Sequence, residues 1–148
     1  MIKLIAVGKI KESFYREAIE EYKKRLSKYT KLEIIEVPDY NTDNNKILEA
    51  KEILKHINNK DYIIILDINS KEYDSLSFAE YLRNMEMQHS NLTFIIGGSN
   101  GLDDSIKSIA NASISFSKLT FPHQLFRVIF LEQIYRAYKI NNNESYHK

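Results

Sequence analysis

Apolar residues follow two rhythms that alternate along this chain. Residues 3–7 form a short apolar run closed by Gly8, which predicts a strand. From Ser13 the spacing widens: Phe14, Ala18, Tyr22, Leu26 and Tyr29 fall three or four apart, with Lys23, Lys24 and Arg25 around the other side, predicting a helix over 13–29. Residues 31–37 carry Ile34, Ile35 and Val37 ahead of Pro38 and predict a second strand, followed by a polar, irregular stretch at 39–45. Ile47, Ala50, Leu54 and Ile57 mark a second helix, closed by Asn58 and Asn59. Residues 62–66 and 92–96 are apolar runs without regular alternation, the pattern of strands buried on both faces. Between them, Ser77 with Glu80 three residues on fits a capping box for a helix reaching Met87. After Gly97-Gly98-Ser99-Asn100-Gly101 come a short helix over 103–110, a strand over 113–116, a loop over 117–123 and a long helix from Pro122 to Ile140. Strands alternating with helices around buried central strands predict an α/β fold: a mostly parallel sheet flanked by helices. With no repeat, linker or low-complexity tract, residues 1–148 read as one domain.

The last helix departs from the amphipathic pattern. Leu125, Phe126, Val128, Ile129, Phe130, Leu131, Ile134, Tyr135, Ala137 and Tyr138 leave it little polar surface. A helix on a sheet needs one apolar stripe, so this one is either buried within the chain or has a second face that is an oligomer interface. So short a chain favours the interface, and a two-fold homodimer is the commonest form.

Composition narrows the chemistry. The absence of cysteine excludes a disulfide scaffold, a thiolate zinc site and a cysteine nucleophile. His56, His89, His123 and His147 never fall at ligand spacing, so no metal site is expected. No apolar run approaches the ~20 residues of a membrane span and no signal-peptide pattern opens the chain, so a soluble, cytoplasmic protein without a membrane partner is expected. The net charge of +1 hides a split: residues 1–31 carry nine Lys/Arg against four Asp/Glu, residues 32–105 six against fourteen, and residues 106–148 six against two. If its two ends fold together, a nearly neutral chain acquires a basic face.

In open parallel sheets, ligands bind outside the carboxyl ends of the strands. Three segments qualify: 67–71, 97–101 and 117–123. The second has three glycines in five residues, which lets backbone approach a ligand closely, or simply turns the chain. It matches neither the dinucleotide fingerprint nor the phosphate loop. The third places Leu119, Phe121 and Pro122 among hydroxyls where a connection is normally polar, either folding onto the core or lining a pocket for a partly apolar ligand. Pro122 suits a first helical turn. His123 beside it reads as a base, a phosphate donor or a packed side chain. No Ser-His-Asp set or close carboxylate pair is visible.

Residues 94–102 (Phe-Ile-Ile-Gly-Gly-Ser-Asn-Gly-Leu), 115–123, the opening Ala6-Val7-Gly8-Lys9, Ile35-Glu36-Val37-Pro38 and the closing Tyr135-Arg136-Ala137-Tyr138 and Tyr146-His147-Lys148 carry a resemblance that runs end to end. The chain resembles the bacterial SPOUT-class methyltransferases of large-subunit rRNA pseudouridine, although its 39–60 connection is shorter than theirs. The resemblance implies a C-terminal trefoil knot, a homodimer, S-adenosylmethionine as methyl donor, and methylation of N3 of pseudouridine 1915 in helix 69 of 23S rRNA within the assembled ribosome. Donor-binding positions carry over to Leu66, Gly97, Phe116, Ser117, Lys118, Leu119, Thr120 and Phe121. Transfer to a weakly acidic N3–H calls for a base or an anion-stabilising donor near it. His123, Arg136, Tyr146 and His147 are the candidates, with the C-terminal tail completing a site across the dimer. A non-catalytic ribosome-binding dimer is the alternative, and predicts no donor binding.

Overall fold

Ile2–Val7 is buried at every position, as only a central strand covered on both faces can be. In the computed structural model, which describes residues 1–148, this strand is β1. It is followed by α1 (Ser13–Leu26), β2 (Leu32–Val37), α2 (Asn45–Leu54), β3 (Tyr62–Glu72), α3 (Ser75–Gln88), β4 (Leu92–Ile96), α4 (Asp104–Ile109), β5 (Ala112–Ser115) and α5 (His123–Asn141). The sheet order is β2-β1-β4-β3-β5, and every neighbouring pair is parallel. The expected parallel α/β fold is what forms.

Side-chain alternation along the strands divides the interior in two. Leu4, Ala6, Ile64, Phe94 and Ile96 point to one face and pack with Ile19, Phe78, Leu82, Phe130 and Ile134 of α1, α3 and α5. Ile5, Val7, Ile63, Ile65 and Ile95 point to the other, against Ala50 and Ile53 of α2 and Ile106 of α4. The result is a helix–sheet–helix sandwich whose thicker side holds three helices.

Helix α5 lies on that side in contact with both α1 and α3. No residue from Gln124 to Asn141 is fully exposed, so most of its unusual apolar breadth is covered within one chain. Leu125, Val128 and Ile129 are only half-buried.

Several local expectations change. Helices α1 and α2 stop at Leu26 and Leu54; Tyr29 and Ile57 instead donate their amides back to Leu26 and Leu54 in closing turns. The cap of α3 is Asp74, not Ser77. Its carboxylate accepts from the Ser77 amide at 2.7 Å while the Ser77 hydroxyl accepts from the Asp74 amide at 3.1 Å, so Ser77 is the reciprocal partner and Glu80 plays no part. Pro122 precedes α5 as its cap with extended ψ, rather than occupying its first turn. The expected loop 67–71 lies inside β3: Leu66 and Lys71 both face Ile114 of β5, so the residues between them bulge out and the strand resumes pairing beyond.

The basic face is also thinner than the charge split suggests. Lys3 is buried in a 3.0 Å pair with Asp61. Arg127 is 2% exposed, donating to Glu36 at 2.8 Å and to the carbonyls of Val7 and Gly8, each at 2.7 Å.

Candidate active site

The carboxyl ends of β3, β4 and β5 converge on one cavity of about 410 Å³, within the range of small-molecule sites. Leu66 to Asn69 form one wall, Ile96 to Leu102 a second, and Ser115 to Phe126 the third. All three segments singled out in the sequence contribute to it, the first through the bulge in β3. The aromatic side chains are ordered: Phe116 stacks on Phe130 at 5.9 Å and Phe121 on Phe126 at 6.0 Å, so the 117–123 segment is anchored to α5 through its apolar residues.

The glycine loop closes on itself. Gly101 donates its amide to the Gly98 carbonyl at 3.0 Å and has φ of +82°, a left-handed conformation natural to glycine. At Gly97 a Cβ would come within 3.0 Å of the Gly101 backbone and of Leu102 Cγ. Any side chain there would crowd the loop where it folds back over its own start, a more local reason for glycine than room for a ligand.

Of the eight donor-binding positions, Leu66, Gly97, Phe116, Ser117, Leu119, Thr120 and Phe121 border the cavity. Lys118 does not; it is exposed beside it, in a turn where the Ser117 hydroxyl accepts from the Leu119 amide at 3.0 Å. Among the acceptor-side candidates His123 borders the cavity, exposed at the first residue of α5.

Arg136, Tyr146 and His147 gather elsewhere. Thirteen residues of α5 separate His123 from Arg136, about 20 Å at 1.5 Å per residue. There Glu132 accepts from Arg136 Nε and Nη2 at 3.2 and 3.1 Å and from the Tyr146 hydroxyl at 3.0 Å. Arg136 Nη1 lies 3.0 Å from His147 Nδ1, and its guanidinium sits 4.8 Å over the Tyr146 ring. Burial and the hydrogen bond to Glu132 push the Tyr146 hydroxyl up to about 12. The C-terminal tail is thus folded back onto α5 through Tyr146 on Glu132 and His147 on Arg136, and in a single chain it does not reach the cavity.

Sequence reading missed several residues of this region. Glu132 organises the tail but looks like an ordinary solvated helix residue. Arg127 fastens α5 to the ends of β1 and β2, and its place on the apolar run of α5 was the available signal. Glu49 is 3% exposed beside the like-charged Asp39 carboxyl, a carboxylate pair not seen in the sequence. Burial, together with Asp39, raises the Glu49 pKa. Nothing in the sequence signalled it, because the expected stripe of Ile47, Ala50, Leu54 and Ile57 lies on another side of the helix; Ile47 and Leu54 are exposed where Glu49 is buried.

A family described as "Predicted SPOUT methyltransferase" matches residues 1–147. The chain belongs to that family. Ribosomal RNA large subunit methyltransferase H of Caldicellulosiruptor saccharolyticus is 51% identical to this SPOUT methyltransferase over 156 aligned positions, covering 100% of both chains. The enzymes of that name from Clostridium botulinum and Clostridium tetani are 50% and 49% identical, each with 99% of both chains covered. Among solved structures, a probable methylase family protein from Haemophilus influenzae has the same fold, with a TM-score of 0.59 at 11% identity over 99% of this chain and 70% of that one. The SPOUT methyltransferase accordingly spans its curated relatives from end to end.

Proposed function

We propose that this methyltransferase transfers a methyl group from S-adenosylmethionine to large-subunit ribosomal RNA, at N3 of a pseudouridine in helix 69 of 23S rRNA within the assembled ribosome. The observation that carries this reading is the cavity at the ends of β3, β4 and β5. It is bordered by seven of the eight positions the family resemblance assigns to the donor, in a chain about half identical over its whole length to rRNA methyltransferases.

The cavity suits such a donor. It combines the backbone of residues 97–101 and 115–121, rich in hydrogen-bonding groups for a purine and ribose, with apolar cover from Leu66, Leu119, Phe121 and Phe126. When bound, S-adenosylmethionine supplies a methyl carbon on a positively charged sulfur, already electrophilic without a protein nucleophile. The protein's part is to orient and to exclude water. Leu119, 70% exposed, and Phe121 stand where they can close over a bound molecule. The acceptor N3–H must lose its proton. His123 at the rim of the same chain, or His147 from a second copy, would take it, while Arg136 and Tyr146 of that copy would stabilise the resulting anion as donors.

A homodimer supplies that second copy. The half-buried strip of Leu125, Val128 and Ile129 at the cavity end of α5 supports pairing there, which would carry the tail of one chain toward the cavity of the other. A trefoil knot through β4, β5 and α5 and a cytoplasmic location belong to the same reading.

Titrating the protein with S-adenosylmethionine by calorimetry, then adding ribosomes that lack the modification, tests it. Saturable donor binding followed by methyl incorporation into 23S rRNA is expected. Ribosome binding with no donor binding would instead establish the non-catalytic alternative.

A further inference from the structure

The inward face of α2 contains two polar residues that its position on an apolar sheet does not require. Ala50 and Ile53 pack into the core as expected. Asn45 and Glu49, one turn apart, are 8% and 3% exposed and are turned instead toward the glycine loop. The Asn45 side-chain carbonyl accepts from Asn100 Nδ2 at 3.3 Å. Glu49 Oε2 accepts from the Tyr40 amide at 3.3 Å, and a Cβ placed on Gly98 would lie 3.1 Å from Glu49 Oε1 and 3.2 Å from Val7 Cγ1. The loop backbone therefore rests directly on this carboxyl. Burying polar groups is unfavourable unless they are bonded. Here the bonds and contacts run to connecting segments, the 39–40 turn and the glycine loop, rather than to helix or sheet.

We propose that α2 braces the glycine loop: Glu49 and Asn45 hold Gly98 and Asn100 in place and so fix the cavity wall, making both positioning residues for donor binding. The strip 97–101 is touched by α2 on one side and borders the cavity on the other. Displacing it from behind alters the cavity without touching any residue that meets the ligand. The proposal rests on the cavity being the methyl-donor site. Glutamine keeps the length and shape of Glu49 and an oxygen that can accept from the Tyr40 amide, so it is the conservative substitute.

The test uses the full chain and the variants Glu49→Ala, Asn45→Ala and Glu49→Gln, with S-adenosylmethionine affinity read by calorimetry and loop order by amide hydrogen exchange. Each alanine variant should bind the donor at least tenfold more weakly and exchange its 97–102 amides at least tenfold faster, while Leu92–Ile96 of β4 stay protected. Glu49→Gln should remain within twofold of the parent on both readouts. Folded alanine variants with parental affinity and parental loop exchange would overturn the brace. So would faster exchange spread equally over β4 and the loop, which marks a general stabilising role. If Glu49→Ala does not fold, Asn45→Ala decides. If the parent protein binds no donor, the reading of the cavity falls while loop exchange still decides the brace.

Discussion

The two ends of α5 are built on opposite principles. Its first turns join a cavity made mainly of backbone, apolar side chains and hydroxyls, with Asp67 and Lys107 the only Asp, Glu, Lys or Arg on its wall and the Arg127 guanidinium turned to Glu36 instead. Its last turns carry a charged and aromatic knot in which Glu132, Arg136, Tyr146 and His147 satisfy one another. The first arrangement suits recognition of a small, partly apolar molecule by shape and backbone. The second suits an acceptor that must be oriented and deprotonated. The contrast teaches that, if both clusters serve the proposed transfer, a single chain holds the two halves of the reaction without bringing them together.

Breaking the link between the cavity end and the sheet should have the largest effect. Arg127→Ala strips Glu36 and the carbonyls of Val7 and Gly8 of their donor, and should cost about 3 kcal/mol of stability, mostly from the two main-chain acceptors, since Glu36 stays partly hydrated. Urea unfolding measures it, and a loss below 1 kcal/mol would mean that water replaces the guanidinium freely. At the other end, Arg136→Ala should leave stability and donor affinity nearly intact. It should lower methyl transfer to ribosomes on the order of a hundredfold, because the tail loses its orientation.

Gly97→Val should do the reverse. It pushes the loop off Gly101 and Leu102 and should weaken donor binding at least tenfold, about 1.4 kcal/mol. Co-expressing the Arg136→Ala and Gly97→Val chains sharpens the comparison. If each active site takes its cavity from one copy and its tail from the other, the mixed dimer keeps one intact site and should regain a sizeable share of activity. No recovery would mean that both halves act within one chain.

The smallest effect concerns pH. Because the folded state raises the Glu49 pKa, this group's stabilising contribution is complete below the ordinary glutamate value of 4.5 and is lost as pH rises through the raised value. Asp39 is the titrating neighbour that shares the effect, and the Arg127 guanidinium lies nearby across Gly8. Glu49→Gln should flatten the decline in unfolding free energy as pH rises above 4.5. An unchanged slope would assign that decline to other groups.

The sheet, the helix order and the cavity segments were legible in the sequence because each rests on local signals: unbroken apolar strands, periodic helices, a glycine cluster and apolar residues in a loop. What escaped was set by distant partners. The bulge in β3 depends on how β5 pairs with it, so residues 67–71 alone read as a loop. Arg127 and Lys3 entered only the charge count of the two ends, because Glu36, Val7 and Asp61 come to them only in the folded chain. The cap of α3 was misplaced by three residues because Ser77 fits either role in a capping box, and only the backbone geometry at Asp74 decides. The tail was assigned to the acceptor side by resemblance; its attachment to Glu132 had no local sign.

The tie between Arg127 and Val7 spans 120 positions, and Lys11 is likewise held by Gln124 across 113. Closing such distant contacts costs chain entropy before they return any stabilisation, which slows folding. During synthesis, moreover, the first strand waits for the last helix. A nascent chain that has produced everything up to β4 still lacks β5 and α5, leaving β3 with an unpaired edge and the larger apolar face without its central helix. Folding therefore completes only after α5 has left the ribosome, and a chain stalled before that point exposes an apolar face prone to aggregation.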